Sequence, residues 1–140
     1  MPVCIFFDHR FCPELKEEKL EQVIADLIEQ KNADTFYVGC QGEFDEKVIR
    51  VLAAAENKYP HIRACIVLAG LPESCRHYRL ETLLPEGLEQ VPPRFAVDRR
   101  NRWMVEQADW VVSYAPYHWG GAAKFTQMAA RKGKKLIVVT

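Results

Sequence analysis

Four arginines, Arg94, Arg99, Arg100 and Arg102, crowd within nine positions, and a glycine pair, Gly120-Gly121, heads an apolar-periodic segment near the C-terminus. Each feature suits an anion. A glycine at a helix N-terminus lets a phosphate approach backbone N–H groups that have no intrahelical partner, and an arginine grips phosphate through two parallel hydrogen bonds. The loop Gly39-Cys40-Gln41-Gly42 offers the same chemistry before an earlier helix, although neither loop matches GxGxxG or a P-loop. The plain alternative for the arginines is a solvated helix N-terminus, where cations oppose the helix dipole. Asn101 adds a polar group to that turn.

His9 and Arg10 end the first apolar run, where they serve either a ligand or a turn. Trp119, behind Tyr117 and His118, is suited to stacking on a base or to packing. Glu43 and Asp45 follow the earlier glycine loop and supply carboxylates. Asp8 and His9 beside Cys12 have no further metal ligand identified in the sequence, so no metal is expected, nor any cofactor.

These residues need elements to position them. Residues 3–7, 35–38, 62–68, 110–114 and 136–139 are short apolar runs with little alternation, the pattern of strands covered on both faces. Between them, apolar positions recur at three and four. Leu20, Val23, Ile24, Leu27 and Ile28 mark one helix; Phe44, Val48, Val51, Leu52 and Ala55 mark another, stopped before Pro60. Asp98 suits the N-cap of a helix burying Met104, Val105 and Ala108, and Phe125, Met128 and Ala129 mark the last. Between Gly70 and Pro93 the pattern is weak; a short helix over 75–83 followed by irregular chain is the reading there. The expected fold is α/β: one Rossmann-like three-layer domain over residues 1–140, with a mostly parallel sheet of about five strands. Such sheets bind ligands beyond the C-terminal ends of their strands. That edge collects both glycine loops, His9 and Arg10.

Composition narrows the ligand. Nineteen basic and nineteen acidic side chains cancel, so a nucleic-acid partner is disfavoured and any anion site is local. No apolar run approaches the roughly 20 residues of a membrane span, and the N-terminal stretch does not resemble a signal peptide, which points to the cytoplasm without a membrane partner. Five cysteines without CxxC spacing read as reduced thiols, with Cys4 and Cys65 as small buried hydrophobes and Cys40 in the more exposed setting of the glycine loop. Homo-oligomerisation stays open.

Three strings, FFDHRFCP, FYVGCQGEFD and RRNRWMVEQADWVVSYAPYHWGGAAKFTQMAARKGKKLIVV, together resemble the SLOG superfamily, and within it the YpsA-like group of small bacterial proteins. The resemblance spans nearly the whole chain and is strongest from Arg94 onward. It implies a Rossmann-like domain that binds a nucleotide or nucleotide-derived ligand, as a sensor or as an enzyme. The superfamily's LOG-type phosphoribohydrolases cleave a base from a nucleoside monophosphate. Their motif of Arg-Lys, two residues, then Met meets Arg100, Asn101 and Met104, with Asp109 at the family spacing, so Arg100 inherits the active-site role. Of their phosphate loop only Gly120 and Gly121 match; Ala123 and Lys124 replace its later elements, and Gln127 stands where the catalytic glutamate would be. Binding or sensing is therefore the first expectation, nucleotide hydrolysis by an N-glycosidase the second, with Arg100, Glu43 or Asp45 as its catalytic candidates. A nucleic-acid or protein interaction module is the third.

Overall fold

The computed structural model describes residues 2–8, 15–40, 42–70, 80–114 and 121–139, without the side chains of Asp8, Gly121 and Ala122. In chain order the elements are β1 (Val3–Asp8), α1 (Glu17–Gln30), β2 (Thr35–Val38), α2 (Glu43–Lys58), β3 (Arg63–Val67), β4 (Glu81–Leu83), a 3-10 turn (Leu88–Gln90), α3 (Pro93–Gln107), β5 (Trp110–Tyr114), α4 (Gly121–Arg131) and β6 (Lys135–Val138). The strands form one sheet in the order β4-β3-β2-β1-β5-β6, and every pairing is parallel. Strand order reverses between β1 and β5, which makes the crevice beyond their C-terminal ends the natural ligand position.

Period-two alternation divides the four inner strands, β3, β2, β1 and β5, between two cores, while the edge strands β4 and β6 are largely exposed. Cys4, Phe6, Phe36, Val38, Ala64, Ile66 and Val112 face α1 and α2, where Leu20, Ile24, Phe44, Ile49 and Leu52 meet them. Ile5, Phe7, Val67 and Val111 face α3 and α4 through Met104, Val105, Phe125 and Ala129. Burial on both faces explains why β1 reads as an unbroken apolar run. Aromatic pairs tie the layers together, with the Phe7 and Phe125 ring centroids 5.6 Å apart.

Three expectations need correction. The sheet has six strands rather than about five, because Glu81–Leu83, expected at the end of a short helix, pairs with β3 as the edge strand. Its first two residues are exposed, so it lacks the apolar run that marks an interior strand. The rest of that expected helix lies largely outside the described residues. Second, α3 starts at Pro93, with Pro92 as N-cap, not at Asp98. Proline has no N–H to lose at the first helical position and its φ already suits a helix, so the pair starts α3 rather than preceding it in a loop. Third, Cys40 is disulfide-bonded, against the reduced state expected of all five cysteines. A bridge needs only two cysteines to meet across the fold, which spacing along the chain does not report. Cys4 and Cys65 are free and buried, as expected, and burial pushes their thiols up to about 12 and about 11.

Candidate functional site

The four arginines have four different fates. Arg94 stacks its guanidinium 4.8 Å from the Phe95 ring centroid. Arg99 is exposed. Arg102 donates from Nε to Asp98 at 2.7 Å, one helical turn away. Arg100 turns inward and is only 3 % exposed. It shares the stripe Ala96, Arg100, Met104, all buried and spaced by four along α3.

Inside, the Arg100 guanidinium spans the C-terminal ends of two strands. Its Nη1 donates to the backbone carbonyl of Val67, the last residue of β3, at 3.0 Å, and its Nε donates to Asn101 Oδ1 at 2.7 Å. Gly39, the residue after β2, lies directly against it: a Cβ built there would fall 2.7 Å from Nη1. A side chain at this position would meet the guanidinium, which would have to shift from its bonds to Val67 and Asn101. Arginine carries five N–H donors and these bonds use two. Arg100 makes no ion pair within 4 Å among the described residues. Burial lowers its pKa, an effect partly offset by the charge of Asp45. A desolvated cation with donors unused among the described residues, at the C-terminal edge of the sheet, is chemically suited to an anion.

Gly42 caps α2, whose first turn carries Glu43, Asp45 and Glu46. Three carboxylates already complement that helix dipole, so phosphate is disfavoured there and hydroxyl donors are favoured. The first turn of α4 holds no acidic residue and begins at Gly121. Cys40, which follows Gly39, has no thiolate to offer while disulfide-bonded. Of the other expected site residues, His9, Arg10, Gln41, Trp119 and Gly120 lie outside the described residues. Asn101 is present as the acceptor for Arg100, a positioning contact that the sequence did not reveal. Gln127 is exposed on α4. Asp109 sits at the opposite end of the sheet, where Oδ2 accepts from the Val3 backbone N–H at 2.8 Å.

Among solved structures of like architecture, one covers nearly the whole of this chain. It is the X-ray structure of DNA processing protein A (DprA) from Streptococcus pneumoniae, matched with a TM-score of 0.72 at 17 % identity, over 99 % of this chain and 50 % of that one. The chain thus spans about half the length of that protein, and the likeness shows a Rossmann-like fold in common. No protein-family model and no curated protein matches the chain. Among the described residues no helix is long and apolar enough to cross a membrane.

Asp98 links α3 to α4 by accepting from Lys124 Nζ at 2.7 Å as well as from Arg102. The hydrogen bonds from Lys124 and then Arg102 hold its carboxyl below the usual range. A lowered folded-state pKa contributes stability that is present above the unfolded value and lost as pH falls through the folded one. Because all three side chains are substantially exposed, Asp98→Asn should cost less than about 1 kcal/mol at pH 7. Urea denaturation should show that cost shrinking as pH falls below the ordinary aspartate range and vanishing once the pH is below the lowered folded-state value, where the carboxylate is protonated in both states.

Proposed function

We propose that the chain binds a phosphate-bearing, nucleotide-type ligand at the C-terminal edge of its sheet, as a binding or sensing domain of the SLOG kind, closest in character to the YpsA-like group. The observation that carries this reading is Arg100: a guanidinium 3 % exposed, without an ion-pair partner among the described residues, held across the ends of β2 and β3. In this reading Arg100 and the N-terminus of α4 take the phosphate, while Glu43 and Asp45 accept hydrogen bonds from the ligand's hydroxyls. His9, Arg10, Gln41, Trp119 and Gly120 complete the pocket from the neighbouring loops, and Gly39 leaves the room the arginine needs.

Scanning fluorimetry against ribonucleoside mono-, di- and triphosphates tests the reading. A ligand at 100 times its dissociation constant stabilises the native state by about 2.7 kcal/mol. A clear rise in melting temperature is expected with a phosphorylated nucleoside, and none across the whole panel would refute the proposal.

A hydrolytic reading is favoured by the charge of Asp45 near Arg100. Base departure from a nucleoside monophosphate builds positive charge on the sugar, which a carboxylate stabilises and an amide such as that of Gln127 does not. In the binding reading, monophosphates survive long incubation with concentrated protein. Base release that disappears in Glu43→Gln or Asp45→Asn would reassign the chain as a hydrolase. The shared fold of a DNA-processing protein favours nucleic acid as a further source of the same phosphate, against which the balanced charge of this chain weighs.

A further inference from the structure

A cavity of about 610 Å3 opens between the segment 85–91 and a face of α3 adjacent to the Arg100 stripe. We propose that it is a second binding site, for one nucleotide unit: a planar base carrying a single phosphate. Its volume lies within the roughly 300–1,000 Å3 of small-molecule sites. The α3 wall presents Phe95, Arg99 and Trp103, spaced by four so that they project along one line.

The two aromatic groups are poised differently. Trp103 is held on one side by Tyr37, with ring centroids 5.3 Å apart, and borders the cavity with the rest of its surface. Phe95 is 52 % exposed, an unusual expense for a large apolar side chain, and Arg94 already stacks on its ring. Both rings lie on the α3 wall, eight residues or about 12 Å apart along the helix, so a flat heterocycle stacks on one ring while the rest of the nucleotide extends along the wall toward the other.

Charge selects the remainder of the ligand. Arg102 and Asp98 line the cavity but neutralise each other, and Lys124 holds the second Asp98 oxygen. Arg99 makes no ion pair among the described residues and is the cation available to an anion. Glu86 and Glu106, likewise without ion pairs among the described residues, share the wall. A polyphosphate or a continuous phosphate track would meet both carboxylates. A single phosphate on Arg99, with amino or hydroxyl donors turned toward Glu86 and Glu106, satisfies all three. A mononucleotide unit offers that combination, either free or as one residue of a strand.

NMR titration of the 15N-labelled full chain with adenosine 5′-monophosphate reads this cavity separately from the strand edge. Saturable shifts are expected at the Trp103 indole N–H and at the Phe95 and Arg99 amides. They should persist in Arg100→Ala, which disables the edge site. Arg99→Glu and Phe95→Ala replace exposed side chains and should melt as the wild type does, while weakening the Trp103 response at least about tenfold. Adenosine, lacking phosphate, should bind wild type and Arg99→Glu equally. A pentadeoxyadenylate that outcompetes the mononucleotide assigns the unit to a strand, and equal affinity per nucleotide assigns it to a free ligand. An unmoved Trp103 signal, or one that responds in Arg99→Glu and Phe95→Ala as it does in the wild type, overturns the proposal.

Discussion

Gly39→Val is expected to be the most damaging single change at the strand edge. The new Cβ would lie 2.7 Å from Arg100 Nη1, 3.0 Å from Cζ and 3.1 Å from Nη2, so the whole guanidinium must move. That movement breaks the bond to the Val67 carbonyl and leaves a buried backbone acceptor unpaired. No left-handed backbone is involved, because Gly39 is not among the positive-φ glycines, so the effect is steric. Overpacking of this kind costs about 1–3 kcal/mol, measurable by urea denaturation. Ligand affinity should fall with it, since the displaced arginine no longer spans β2 and β3. The double variant Gly39→Val/Arg100→Ala separates the causes. If the clash is with Arg100, the valine costs much less once the arginine is gone, a coupling that independent sites would not show. An equal cost in both backgrounds would place the clash elsewhere.

Arg100→Ala is the second large effect, on affinity more than on folding. Hydrogen bonds to charged groups contribute about 1.5–3 kcal/mol, which corresponds to a loss of roughly tenfold to a hundredfold in calorimetric affinity. Folding suffers less, because the same substitution relieves the cost of burying a cation with no ion-pair partner among the described residues. Arg102→Ala is the control: its guanidinium is committed to Asp98, so ligand affinity should change by less than about threefold. Arg100→Lys should behave more like alanine than like arginine, since a single ammonium cannot reproduce the planar fork that reaches Val67 and Asn101 together. Equal losses at Arg100 and Arg102 would indicate a diffuse basic surface.

Much of the scaffold was legible because its signals are local. Phe44, Val48, Val51, Leu52 and Ala55 stand three and four apart and all five are buried on α2. The five apolar runs are all strands of the sheet. What escaped depends on tertiary placement. Glu81–Leu83 is a strand only because β3 offers an edge to pair with, and nothing in three largely exposed residues announces that. The arginines look alike in sequence, yet a rotation of about 100° per residue separates buried Arg100 from exposed Arg99. One signal was available: Ala96, Arg100 and Met104 extend a stripe at spacing four, which places a charge in an apolar row. The contact between Gly39 and Arg100 joins residues 61 positions apart, and no periodicity carries such information. The cavity beside Phe95, Arg99 and Trp103 was hidden for the same reason, since its second wall comes from the segment after β4.

The claim that Arg100 holds a ligand phosphate is tested most directly by calorimetry on two proteins and two ligands. The ligands are the nucleoside monophosphate that raises the melting temperature most and its unphosphorylated nucleoside; the proteins are the wild type and Arg100→Ala, each also carrying Arg99→Glu and Phe95→Ala, which weaken the second cavity for phosphate and base alike. With Arg100 present, the monophosphate should bind tighter than the nucleoside by roughly tenfold to a hundredfold. With alanine at position 100, that preference should shrink to within about threefold, while nucleoside affinity stays nearly constant. A preference for phosphate that survives intact in Arg100→Ala would contradict the account and remove Arg100 from the binding site.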